Sequence, residues 1–138
     1  MIVMAVNSGG SSIKYELFSM EEKKERSLAR GSVKRLYRSD SFWEGEQEGA
    51  GTKKEVPHLD HEKGLRLIID ILTQQGPLRS MQEIEAVGIK LINGGARVTQ
   101  TSFIDSGVTQ ALQDLSGVTP VHNPPSLLAI EMFQKILP

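Results

Sequence analysis

Three short stretches of this sequence carry the residue types needed to hold an anion. The first is Asn7-Ser8-Gly9-Gly10-Ser11-Ser12, with Lys14 just beyond it. Small residues let backbone N–H groups close around phosphate oxygens as a nest. Ser11 and Ser12 add hydroxyl donors and Lys14 adds a cation. The side-chain carbonyl of Asn7 suits a hard cation such as Mg²⁺, directly or through water. The pattern is not a P-loop, because G-x-x-x-x-G-K-[ST] is absent and no helix signal follows. Taken alone, Asn-Ser-Gly-Gly is a common hairpin turn, and for the isolated loop that plain reading is the better one. A turn nevertheless needs only two residues, and it leaves six polar ones poorly explained.

The second stretch, Gly88 to Gly95, sets Lys90 in an otherwise apolar strand that ends at Asn93-Gly94-Gly95. A buried charge there needs a partner. Either Lys90 snorkels out from the strand edge, or it meets an anionic substrate at the carboxyl end of the strand, where ligands of α/β sheets collect. The residues leave these two readings equal. The third stretch is Thr119-Pro120-Val121-His122-Asn123-Pro124-Pro125, a rigid entry into a helix. Helix N-termini attract anions, and His122 could donate to a carboxylate or phosphate. A lone loop histidine more often bonds its own backbone, but the flanking prolines fix its approach. His58 and His61 have no companions at metal-site spacing and read as surface residues.

Composition narrows the chemistry. With 138 residues, the chain suits one domain or one lobe of a larger protein. Hydrophobic content of 38% and charged content of 24% describe a soluble globular chain. The 16 basic and 17 acidic residues nearly cancel, leaving a net charge of −1 and no electrostatic case for nucleic acid or an anionic membrane. The absence of cysteine excludes disulfides, thiolate metal sites and cysteine nucleophiles. Met1 to Val6 is too short to span a membrane and no charged region precedes it, so the expected location is cytoplasmic.

The elements that must position these stretches follow from periodicity. Ile2 to Val6 is a β-branched run that predicts a buried strand. Ile13, Tyr15 and Leu17 alternate with their neighbours as a second strand. Met20 to Glu25 is a charged turn, and Ser27 to Leu36 is a third strand. Tyr37 to Pro57 is polar and carries Gly45, Gly49 and Gly51, so residues 37–57 are expected to be the least structured part, a mobile hairpin insertion pinned by Phe42 and Trp43. Asp60 caps a helix that runs to Gln75, with Leu65, Ile68, Ile69 and Leu72 on one face. Ile84 to Ile92 is another buried strand. Val108, Ala111, Leu112 and Leu115 mark a helix closed by Gly117. Asn123 caps a last helix with Pro124 in its first turn and Ala129, Met132, Phe133 and Ile136 on its apolar face. The order β-β-β-α-β-α-α predicts an α/β lobe with a mixed sheet and flanking helices.

These residues resemble acetate kinases. The run from Asn7 to Lys14, N-S-G-G-S-S-I-K, is similar to the family signature N-x-G-S-S-S-x-K. Ala29 to Arg35 resembles its A-K/R-G-x-V-E-R strand. Ala86 to Gly95 is similar to A-V-G-H-R-V-V-H-G-G, Pro120 to Pro124 to P-L-H-N-P, and the closing Gln134 to Pro138 fits as well. The matches are colinear and span nearly the whole chain apart from residues 37–57. The resemblance implies the amino-terminal lobe of an actin-like, ribonuclease H-like ATPase fold, with residues 1–138 as a single lobe that is incomplete relative to the family. It implies reversible phosphoryl transfer between ATP and acetate, giving acetyl phosphate and ADP, with Mg²⁺. Propionate kinases share most of these motifs, so propionate is the alternative carboxylate. A homodimer is implied only for a complete protein, through surfaces largely outside this segment.

Carried over by position, the resemblance gives Asn7 the metal, and Gly9, Gly10, Ser11, Ser12 and Lys14 the ATP phosphates. Lys90 stands where the family has the arginine that holds the carboxylate. Ile92 and Val121 would wall the methyl pocket, and His122 would lie near the transferring phosphoryl group. In the family the catalytic aspartate falls shortly after the position that matches residue 138, so the resemblance implies that the isolated chain is inactive. Three departures matter. Lys90 loses the planar fork of arginine, Ile89 and Asn93 replace two histidines, and Gly10 replaces a serine. They motivate an alternative in which the chain is a non-catalytic, regulatory nucleotide- or phosphate-binding relative.

Overall fold

The computed structural model describes residues 1–47, 49–91, 94–115 and 123–137, without the side chain of Asn123. Six strands, β1 (Ile2–Ser8), β2 (Ile13–Glu21), β3 (Lys24–Lys34), β4 (Phe42–Gln47), β5 (Ala50–Glu55) and β6 (Ile84–Ile89), form one sheet in the order β5-β4-β3-β2-β1-β6. All neighbours are antiparallel except β1 and β6, which run parallel. The helices are α1 (His61–Asp70), α2 (Ser106–Leu115) and α3 (Asn123–Ile136). The mixed α/β sheet with flanking helices is therefore as the sequence implies.

Two-residue alternation divides the sheet into unlike faces. Met4, Val6, Ile13, Tyr15, Leu17, Ala29, Val33 and Trp43 are buried on one face, against Leu65 and Ile68 of α1 and Ala129 and Phe133 of α3. Their register partners one residue along, including Lys14, Glu16, Arg30 and Glu44, occupy the open face. Asp60 caps α1 by accepting from the Lys63 amide at 2.7 Å. The helix continues as a π-helical turn, Ile71–Gln75, and stops at Gly76. A second small core joins Leu112 of α2 to Leu127 and Ile130 of α3.

Three expectations are corrected. The segment 37–57 contains the expected hairpin but is not the least structured part, because its strands β4 and β5 extend the sheet. The strand expected to reach Ile92 ends at Ile89, and Lys90 is exposed one residue later. His61 is not a surface residue: it is only 5% exposed, and the partners that bury it are described below. His58 is exposed, as expected. The stop read at Gly117 and the side-chain cap read at Asn123 fall outside what is described.

Ser8 ends β1 on the core face, 1% exposed, and its Oγ has no hydrogen-bond partner among the described residues. A buried hydroxyl without a partner costs stability. Ser8→Ala is expected to be neutral or stabilising by about 1 kcal/mol. Urea unfolding of the two proteins checks this, and a clear loss of stability in the variant would reveal a hidden partner for the hydroxyl.

Candidate functional site

The hairpin register brings the chemistry together. Asn7 pairs with Lys14 across β1 and β2, Lys14 with Ser32, Ser32 with Glu44, and Glu44 with Lys53. Val6 of β1 pairs with Ile89 of β6, and the next amide, that of Lys90, donates to the Val6 carbonyl at 3.0 Å. Lys90 therefore sits beside Asn7. The result is a row across the open face, Lys90–Asn7–Lys14, in which one amide is flanked by two cations. It lies at the carboxyl ends of the parallel pair β1 and β6, where α/β sheets gather ligands. All three residues line one open trough of about 1750 Å³.

The other cations of this face are already engaged. Arg30 donates to Glu46 through Nε at 3.2 Å and through its Nη2 at 2.9 Å, and Lys34 bonds Glu44. The Lys34 ammonium holds the Glu44 carboxyl below its ordinary range. Lys53 stands 4.3 Å from the centre of the Phe42 ring. Lys14 and Lys90 are exposed and have no ion-pair partner among the described residues. They are the two cations of this face available to an incoming anion.

Past Lys90 the trough turns apolar. Ile89, Leu91, Ile104 and Val108 pack on the cluster of Leu112, Leu127 and Ile130, and Leu91, Ile104, Val108 and Ile130 line the trough. The Lys90 backbone is tethered here, since Ser126 Oγ of α3 donates to its carbonyl at 3.5 Å. These wall residues were missed by sequence reasoning. Val108 and Ile130 lie at helical spacing, which signals a core and gives no hint that the core has an open edge.

The loop 9–12 lies one register step beyond Asn7 and Lys14, and forms a rim to the row without lining the trough. The Gly9 amide donates to the Ser12 carbonyl at 2.9 Å, and the Leu36 amide to the Ser11 carbonyl at 3.0 Å. Asn7 supplies one carbonyl oxygen, and no cluster of three or more His, Cys, Asp or Glu exists among the described residues. That donor set fits Mg²⁺ carried on phosphate oxygens with most of its waters kept; it does not fit an all-protein cage. Of the other expected site residues, Ile92, Val121 and His122 lie outside the described residues. Among the described residues no helix is long and apolar enough to cross a membrane.

The chain is 38% identical over 141 residues to the acetate kinase of Halothermothrix orenii, covering 100% of this chain and 35% of that protein. It is 39% identical over 141 residues to the acetate kinase of Geobacter metallireducens, covering 100% and 33%. The crystal structure of Porphyromonas gingivalis acetate kinase superposes with a TM-score of 0.87 at 29% identity, covering 99% of this chain and 35% of that one. The chain thus spans about a third of the length of the relatives it matches. The family model of the acetokinases matches residues 2–138, and the chain belongs to the acetokinase family.

Proposed function

We propose that this chain is the phosphate- and carboxylate-binding lobe of an acetate kinase-like phosphotransferase, one of two lobes. The observation that carries the reading is the row Lys90–Asn7–Lys14 running into an apolar wall. A cation beside apolar surface suits a short-chain carboxylate: Lys90 takes the charge and the wall takes the methyl group. A second cation past the amide suits the phosphates of ATP. In the reaction a carboxylate oxygen attacks the γ-phosphorus, the bond to the β–γ bridging oxygen breaks, and ADP leaves. Such transfer depends on positioning and charge neutralisation. Asn7 would hold Mg²⁺, which supplies neutralisation of the phosphate oxygens. Gly9, Gly10, Ser11 and Ser12 would offer amides and hydroxyls to the phosphates. Ile92 and Val121 would extend the wall and His122 would donate to the moving phosphoryl group. Propionate is the alternative substrate.

A second reading is favoured by Lys90 itself. A point charge grips a carboxylate less well than a guanidinium fork, and a non-catalytic phosphate-binding relative would tolerate that loss. In both readings the 138-residue chain alone forms no acetyl phosphate, because the resemblance places the catalytic aspartate beyond it. The test is a ³¹P spectrum of Mg-ATP titrated with the chain. The β and γ lines are expected to shift to saturation with no turnover. Unmoved lines would sink the phosphate-binding reading, and ATP-dependent acetyl phosphate formation would sink the expectation of inactivity.

A further inference from the structure

His61 is a buried titratable group that the proposed chemistry does not use. Its Nε2 lies 2.5 Å from the carbonyl oxygen of Gly9, and its Nδ1 lies 2.5 Å from the hydroxyl of Tyr37. A carbonyl can only accept, so Nε2 carries a proton and donates, and in the neutral imidazole the Tyr37 hydroxyl donates to Nδ1. The imidazole is thereby fixed from both ends. The loop has a second tether in the Leu36 amide on the Ser11 carbonyl. Leu36 is flanked by Arg35 at φ 56° and Tyr37 at φ 67°, two non-glycine residues in left-handed backbone. Such residues persist where their surroundings over-determine them, and they gather at functional sites.

The consequence lies in the peptide planes. In a trans peptide the C=O of one residue and the N–H of the next point in opposite directions. Pulling the Gly9 and Ser11 carbonyls toward His61 and Leu36 therefore turns the Gly10 and Ser12 amides the other way. A hairpin turn closed by Gly9 and Ser12 ordinarily makes reciprocal bonds. Here the Gly9 amide reaches the Ser12 carbonyl, but the return bond from the Ser12 amide is absent among the described residues, and His61 occupies the Gly9 carbonyl instead. We infer that His61 is a positioning residue for the anion loop: by holding the Gly9 carbonyl it turns the Gly10 amide outward for phosphate oxygens, and it denies that carbonyl to the Ser12 amide, which Leu36 turns outward through the Ser11 carbonyl. This rests on the phosphate-binding reading above only for the identity of the ligand.

The test uses the 138-residue chain, amide hydrogen exchange at Ser12 and Gly10, and inorganic tripolyphosphate as the probe. In His61→Ala the Ser12 amide can close onto the released Gly9 carbonyl. Its exchange in the absence of ligand is expected to slow by about tenfold or more. Affinity for tripolyphosphate is expected to fall by roughly tenfold. His61→Gln, whose carboxamide N–H can still donate to Gly9, is expected to restore most of both values. Tyr37→Phe removes one hydroxyl, does not depend on His61→Ala folding, and is expected to move both readouts in the same direction by a smaller factor. Unchanged exchange and affinity in folded His61→Ala, or in Tyr37→Phe if the first does not fold, overturn the inference. A wild-type chain that ignores tripolyphosphate overturns the ligand assignment, while Ser12 exchange decides the loop orientation on its own.

Discussion

Replacing Lys14 by alanine is expected to weaken tripolyphosphate binding by about tenfold or more, and adding Lys90→Ala is expected to take little more from that ligand. Each ammonium is exposed, so water and salt screen it and the full low-dielectric attraction does not apply. Against a multiply charged phosphate, a charge-assisted bond still contributes about 1.5–3 kcal/mol. The single variants should separate by ligand. Lys14→Ala falls mainly on polyphosphate and Mg-ATP, whereas Lys90→Ala falls mainly on a carboxylate probe such as acetate. Lys90→Arg should strengthen acetate binding, because a planar fork can take both carboxylate oxygens. Titration calorimetry at low ionic strength measures all four. Singles that match the wild type on every ligand would remove the row from the binding site. A Lys90→Arg protein that binds acetate no better would favour the non-catalytic reading.

How far the row was legible can be traced residue by residue. Asn7 and Lys14 were readable as partners because a tight hairpin fixes its own register. Lys90 was ambiguous in sequence because its neighbour Asn7 lies across a long parallel crossover, and periodicity says nothing about which strand will lie alongside. A hairpin was expected in residues 37–57, but that its strands β4 and β5 would extend the sheet was not legible, for a different reason. All six residues of β5 are exposed, so an edge strand of Ala50, Gly51, Thr52, Lys53, Lys54 and Glu55 has no apolar alternation to detect. Its one local signal was Gly49, which sits at φ 81°. His61 was misread because its two partners are 24 and 52 residues distant. In the first turn of an amphipathic helix it carries no mark of burial. Local pattern therefore recovered the elements other than β4 and β5 and the contact between β1 and β2, while contacts closed by the tertiary fold had to be seen.

The row also depends on what lies behind it, and there the largest stability effect is expected. Trp43 is buried on the core face, and its indole N–H donates to Tyr15 Oη at 3.0 Å. Tyr15 directly follows Lys14, so the pair forms the backing of the binding row. Two glycines make room for the rings. A Cβ at Gly31 would stand 2.7 Å from Tyr15 Oη, and one at Gly45 would stand 2.4 Å from Trp43 Cζ2. Trp43→Ala is expected to cost about 3–5 kcal/mol through the cavity it opens. Tyr15→Phe should cost about 1–3 kcal/mol, since it leaves the buried indole N–H without a partner. The Tyr15 phenol adds a pH signature. Burial, opposed by the Trp43 bond, raises its pKa above the ordinary value. A raised pKa means that the folded state resists forming the phenolate. The stability Tyr15 contributes is therefore intact below about pH 10, the ordinary value, and is lost as pH rises through the folded pKa. Tyr15→Phe has no phenol at this position and escapes that loss. Urea unfolding at neutral pH and again above pH 10 should show the gap between wild type and Tyr15→Phe narrowing. A gap that stays constant would mean that the Tyr15 hydroxyl is open to water and that the backing of the row is looser than its burial indicates.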